Sequence, residues 1–173
     1  MPYQSHPRYS RAFTLIEIMI VVIILGILAA VTIPELTSAT TETRANTLHE
    51  EVRFMREQIE AFKYEHTDIS PGYPSGATTS TPDQADFINQ MIGATNVTCV
   101  TVSNGSPGSF GPYISTFPVN PVNGLATVLV VANGTTFPTS ADGAYGWVYQ
   151  PSTMTFKSDA TGSDQSGADY FSY

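Results

Sequence analysis

Twenty-one consecutive residues, Phe13 to Ile33 (FTLIEIMIVVIILGILAAVTI), carry a single charged side chain, that of Glu17. At a rise of about 1.5 Å per residue this run makes a helix roughly 31 Å long, close to the thickness of a bilayer's hydrocarbon core. A helix in the core of a soluble domain needs far fewer apolar residues and keeps a polar face. Ahead of the run, residues 1–12 (MPYQSHPRYSRA) hold Arg8 and Arg11 as their only charges, and no basic residue follows until Arg44. Positive charge on the N-terminal side keeps that end in the cytoplasm and sends the following domain outside it.

A cleaved signal peptide and a plain signal anchor are the other readings of such a segment. Cleavage after Ala30 would place Leu28 where signal peptidase wants a small residue, and neither reading uses Glu17. A charged side chain at the centre of a span costs roughly 2.5–3.5 kcal/mol, so it is usually paired. If the chain is cut between Ala12 and Phe13, a new α-amino group lies four residues before Glu17, one helical turn away. The amine of one subunit and the carboxylate of its neighbour then neutralise each other when the helices stack with a stagger. Apolar helices packed side by side and registered by an ion pair form a filament core.

The segment Arg11-Ala12-Phe13-Thr14-Leu15-Ile16-Glu17, running straight into the apolar helix, resembles the processing site of type IV pilins and type II secretion pseudopilins. The resemblance implies cleavage by the membrane prepilin peptidase at Ala12–Phe13, methylation of Phe13 and an assembly role for Glu17. Gly26 and Pro34 stand where this family often has helix-loosening residues. The chain departs from the family at Ala12, where glycine is usual before the cut.

Beyond the apolar run, Pro34 lacks an amide hydrogen and clashes with the preceding turn, so a kink is expected there. A helix end at the membrane surface is the alternative. The helical pattern resumes at once: Ala45, Leu48, Val52, Met55, Ile59 and Phe62 make one apolar stripe on a helix from about Glu35 to His66. That stripe is expected to pack on the chain's own sheet. After Asp68 the sequence turns to loops, beginning with Pro71-Gly72-Tyr73-Pro74. Residues 82–93 read as a short helix with Thr81 as N-cap and Pro82 at its first position. Val97–Val102, Thr127–Val131, Gly146–Gln150 and Met154–Lys157 read as strands. The fold class is therefore α+β: a long N-terminal helix on a small antiparallel sheet. The organisation is a basic leader (1–12), a transmembrane and filament-core helix (13–34) and a periplasmic domain (35–173).

The C-terminal part carries a second resemblance. Phe62-Lys63-Tyr64 with Tyr73-Pro74, and Gly111-Pro112-Tyr113-Ile114 with Phe117-Pro118, Asn120-Pro121 and Gly124, look like the major pseudopilins of type II secretion. Asn120 and Val122 replace the Asp and Trp common in that loop. Asp159, Asp164 and Asp169, five residues apart in a Gly/Ser-rich stretch, could converge on a hard cation through oxygen ligands; a solvated acidic tail is the plainer alternative. Major pseudopilins hold calcium with carboxylates in such a loop, and Asp159 and Asp169 align with them.

Composition excludes several function classes. The net charge is −8, and without residues 1–12 it becomes −10, five basic against fifteen acidic residues, so binding of nucleic acid phosphates is disfavoured. Cys99 is the sole cysteine, expected to be buried in a strand, and no intrachain disulfide can form. His49-Glu50 is no zinc-protease motif, since Arg53 stands where a second histidine would be. No nucleophile elbow or phosphate-binding loop is present, and His6, His49 and His66 read as surface residues. The expected protein is not an enzyme and needs no cofactor, structural calcium aside. It is expected to be a subunit of a type II secretion pseudopilus in the bacterial inner membrane, with its N-terminus cytoplasmic and its filament periplasmic. The expected partners are further copies of itself, minor pseudopilins, prepilin peptidase and an inner-membrane platform with a cytoplasmic ATPase. A type IV pilus pilin, forming a surface fibre, is the alternative; a membrane-anchored binding module is a third reading.

Overall fold

The computed structural model describes residues 13–173. Two units divide the chain between Thr40 and Thr41. Among the described residues one helix, α1 (Leu15–Glu65), supplies the regular structure of the first unit and continues into the second. Helical residues run without a break past Gly26 and Pro34, so the helix does not end at the proline. The N-terminal portion, Leu15–Ile33, has a mean hydropathy of 2.9 and no buried residue. By length and composition it is suited to cross a membrane.

The second unit is the expected α+β domain. Ala45, Leu48, Val52, Met55, Ile59 and Phe62 are all buried, which makes the apolar stripe of α1 one wall of the core. Opposite the stripe, Arg53 bridges Glu50 and Glu57 at 2.7 Å on the solvated face. The other walls come from α2 (Gln84–Ile92) and the strands. Asp83 caps α2 by accepting from the Asp86 N–H, two residues later than the Thr81 expected from sequence. Thr-Pro and Asp-Gln both offer start signals, and the cap falls where the side chain reaches the helix's free N–H groups.

Five short strands make two sheets. In the first, β1 (Ala94–Thr95) pairs antiparallel with β2 (Thr101–Val102). The expected strand at Val97–Val102 is thus mostly a turn. The Asn96 side chain accepts from the Thr98 and Val100 N–H groups and curls residues 96–100. Cys99 is buried as expected, but at φ +61° in that turn, and burial pushes its thiol up to about 11, leaving it an inert packing group. In the second sheet the order is β3 (Val128–Val130), β4 (Trp147–Gln150), β5 (Thr155–Ser158). The β4–β5 hairpin is antiparallel and turns through Pro151–Met154, with Met154 at φ +55°. The β3–β4 pair is parallel, matching Val128 to Trp147 and Val130 to Tyr149. The sheet is therefore mixed rather than antiparallel. Residues 131–146 form the crossover, and their length is what a parallel return requires.

Position in the sheet explains the strand sequences. The central β4, Trp147-Val148-Tyr149-Gln150, is buried at every residue. The edge strand β5 alternates, with Phe156 and Ser158 inward. Phe87, Trp147, Tyr149 and Phe156 stack around one another, Phe87 on Tyr149 at 4.3 Å and Trp147 on Phe156 at 5.3 Å between ring centroids. Arg56 ties helix to sheet and to the chain end: its guanidinium donates to the Phe156 carbonyl at 2.9 and 3.0 Å and to the Tyr173 carbonyl at 2.6 Å.

His66 is fully buried, not a surface residue. Its Nδ1 lies 2.7 Å from the Phe62 carbonyl and its Nε2 2.9 Å from the Thr95 hydroxyl, with the ring stacked on Phe62. A carbonyl only accepts, so Nδ1 donates to it, and Thr95 pairs the other nitrogen. The histidine continues the apolar stripe four residues after Phe62. His49 is exposed, and His6 lies outside the described residues.

Candidate functional site

Two places carry the expected functional residues: the start of α1 and the acidic stretch near the C-terminus. At the first, Thr14 sits just before the helix and Glu17 in its first turn. The Glu17 N–H donates to the Thr14 hydroxyl at 3.3 Å, and the Thr14 N–H donates to the Glu17 carboxylate at 3.4 Å. This reciprocal pair is a capping box. Its signature, Thr-x-x-Glu before an apolar run, is legible at residues 14–17 but is not part of the ion-pair reading of Glu17. The cap places negative charge at the positive end of the helix dipole. Phe13 is 77% and Ile16 65% exposed, so this end offers its apolar surface outward. A side chain at Gly26 would meet nothing within 4 Å in this chain. Nothing inside the subunit requires a glycine there. Ala12, Arg8 and Arg11 lie outside the described residues.

At the second place, the structure does not gather Asp159, Asp164 and Asp169 into one set of ligands. Among the described residues no group of three or more His, Cys, Asp or Glu side chains is arranged to hold a metal ion. Each carboxylate is engaged with its own surroundings. Asp159 is buried and accepts from the N–H groups of Asp142 and Tyr145 at 3.1 and 2.9 Å. Burial pushes its carboxyl up, the neighbouring Asp142 carboxylate adds to this, and the two N–H donors oppose it. Asp164 accepts from the Ser166 and Ala168 N–H groups, the Ser166 hydroxyl and the Tyr173 hydroxyl. Those donors, Tyr173 foremost, hold its carboxyl down to about 2. Asp169 caps the final helical turn, Tyr170–Ser172, by accepting from the Phe171 N–H. In this structure both oxygens of Asp159 and of Asp164 are engaged by protein N–H and O–H groups, and Asp169 accepts through one oxygen from the helical turn it caps.

Beside Asp164, an open cleft of about 400 Å³ is lined by Glu42, Ala45, Asn46, Asp164, Gln165 and Ser166.

Residues 7–33 match the family model described as the prokaryotic N-terminal methylation motif. The chain carries the type IV pilin-like signature. The match runs from residue 7 through the capping box and the exposed apolar helix, so the geometry at Phe13–Glu17 lies within it. It implies a substrate of prepilin peptidase and a subunit that assembles into filaments with other pilins. No solved structure matches the chain.

Asn120 has a structural explanation. It is fully buried, and its amide donates to the Gly146 carbonyl at 2.7 Å and the Ser158 hydroxyl at 2.9 Å, while its oxygen accepts from the Val122 N–H. A carboxylate has no hydrogen to donate to a carbonyl. Gly146 is required at the same junction, since a Cβ there would lie 2.1 Å from the Leu125 carbonyl oxygen.

Two outcomes follow from this geometry. Asn120→Asp should destabilise the domain by roughly 2–4 kcal/mol, since it buries a charge against a carbonyl oxygen; chemical denaturation of the two proteins measures the difference. The second concerns acid. The folded carboxyl of Asp164 is depressed to about 2 from an unfolded value near 4, so its stabilisation is complete above about pH 4 and vanishes as pH falls towards 2. Melting temperatures of wild type and Asp164→Asn should therefore converge across that window, with wild type the more stable above it.

Proposed function

We propose that this chain is the major pseudopilin of a type II secretion system. In this reading prepilin peptidase cuts it between Ala12 and Phe13, its new N-terminus is methylated, and an inner-membrane platform with a cytoplasmic ATPase stacks it into a periplasmic fibre. That fibre, with minor pseudopilins, acts as a piston or scaffold for export of folded proteins. The observation that carries the reading is the helix Leu15–Ile33, apolar all round and uncovered by its own chain, lying inside the matched methylation motif. Such a surface is satisfied first by lipid and then by neighbouring copies of the same helix. The Gly111-Pro112-Tyr113 and Phe117-Pro118 stretches favour a secretion pseudopilin over a surface pilin. Tyr113, in the first of them, donates a hydrogen bond to Glu65 near the end of α1 and packs on Phe62, so this stretch fastens the loop to the helix.

The role is structural, not catalytic. In the membrane the capping box keeps Glu17 satisfied within one subunit; on assembly the Phe13 amine of a neighbour takes up the carboxylate. Order along the fibre then comes from electrostatics, and cohesion from packing of the apolar faces.

Protein recovered from its native host should begin at N-methyl-Phe13; intact mass spectrometry showing residues 1–12 retained would refute the processing step. Glu17→Ala should enter the membrane at least as well as wild type, having lost an intramembrane charge, yet fail to extend fibres. Membrane fractionation and electron microscopy at matched expression test both halves. Normal fibres from the variant would remove the assembly role of Glu17, and fibres displayed on the cell surface would favour a pilus over a secretion pseudopilus.

A further inference from the structure

The chain contains three Asn-Gly pairs, Asn104-Gly105, Asn123-Gly124 and Asn133-Gly134, and the fold treats them differently. Glycine after asparagine leaves the following amide nitrogen unshielded by any Cβ, so it can approach the asparagine side chain. Asparagine is for this reason one of the chemically labile residues of proteins.

Asn123 is tied at both ends of its side chain, donating to the Tyr145 carbonyl at 2.7 Å and accepting from the Leu125 N–H at 3.1 Å. The nitrogen that would attack it, that of Gly124, is itself engaged as a donor to the Asn120 carbonyl at 2.8 Å. Asn133 and Asn104 form a closer comparison. Both are exposed, and each pair occupies the middle of a four-residue turn. One turn is closed by Thr135 N–H to the Ala132 carbonyl at 3.2 Å, the other by Ser106 N–H to the Ser103 carbonyl at 3.1 Å. Their glycines have nearly the same backbone angle, φ +77° and +82°. The difference is the tether. The Asn133 oxygen accepts from the Tyr73 hydroxyl at 2.8 Å and its amide donates to the Thr78 carbonyl at 2.9 Å. Among the described residues the Asn104 side chain has no hydrogen-bond partner, and the Gly105 nitrogen donates to nothing.

We propose that Asn104 is a site of spontaneous deamidation in the folded subunit, while Asn123 and Asn133 are protected by their tethers. The Gly105 nitrogen bonds to the Asn104 side-chain carbonyl carbon and loses its proton as ammonia leaves, closing a succinimide ring. Water then opens the ring on either side, giving aspartate or isoaspartate at position 104. The net reaction consumes one water and releases one ammonia, with no other reactant. The change adds a negative charge to a turn at the open end of the β1–β2 hairpin, where the Asn104 side chain makes no contact that the fold would lose.

The test is to age the full chain in detergent micelles at mildly alkaline pH and digest it with chymotrypsin. Cuts after Phe110, Phe117, Leu125 and Phe137 separate the three pairs. The fragment holding Asn104 should gain the mass difference between amide and acid, and should become a substrate for isoaspartyl methyltransferase. Conversion at the tethered pairs should be about tenfold slower or more, because a hydrogen bond must break before each attack. In concentrated urea, where every tether is lost and each asparagine precedes glycine, the three rates should come together. Equal rates in the folded chain, or faster conversion at Asn123 or Asn133, would overturn the proposal. So would a lead at Asn104 that persists in urea, since local sequence rather than the fold would then select the site.

Discussion

A helix whose apolar surface is left bare by its own chain has to find its cover elsewhere, and the design of this molecule follows from that requirement. Along α1 the same kind of side chain meets two fates. From Leu15 to Ile33 none is buried, whereas from Ala45 to Phe62 the stripe residues are closed off by the sheet and α2. The second portion gains its free energy inside one subunit. The first gains it only from lipid or from other subunits, so the apolar run links membrane residence to polymerisation. Glu17 is the one charged side chain on that surface.

In the globular unit, several polar groups are accommodated by local pairing. Asn120 spends its amide on Gly146 and Ser158, Asp159 takes two backbone N–H groups, and Asp164 takes four donors. Loops that bury few apolar side chains need some other compensation for their ordering entropy. Here part of it comes from the paired side chains of Asn120, Asn123, Asn133, Asp159 and Asp164. The acidic composition thus reflects loop architecture as much as surface charge.

Features written in a regular period were legible from sequence. The apolar run, the stripe on α1 and the approximate strands at Thr127–Val131 and Gly146–Gln150 follow from spacing and composition, and the Phe13–Glu17 segment from a short motif. What was not legible depended on partners distant in the chain. Alternation says which face of a strand is buried but not which way its neighbour runs, so the parallel β3–β4 pair was missed; the length of residues 131–146 was the available signal. His66 looked like a surface residue because nothing nearby shows that Thr95 will meet it. Five-residue spacing brings Asp159, Asp164 and Asp169 into one stretch, but the donors that engage the first two come from Asp142, Tyr145 and Tyr173 as well as from their neighbours, which spacing does not show.

The contact between Arg56 and the Tyr173 carbonyl has a consequence for how the chain becomes folded. The α1 stripe lies early in the chain, while the carbonyl that holds Arg56 beside it comes 117 positions later. The parallel pairing of β3 with β4 adds a loop that must close before its contacts form. The stripe therefore stays uncovered until these distant residues have come back to it. A partly folded subunit exposes the same apolar residues that the finished domain hides, and the return of Phe156 and Tyr173 to Arg56 is what brings that vulnerable interval to a close.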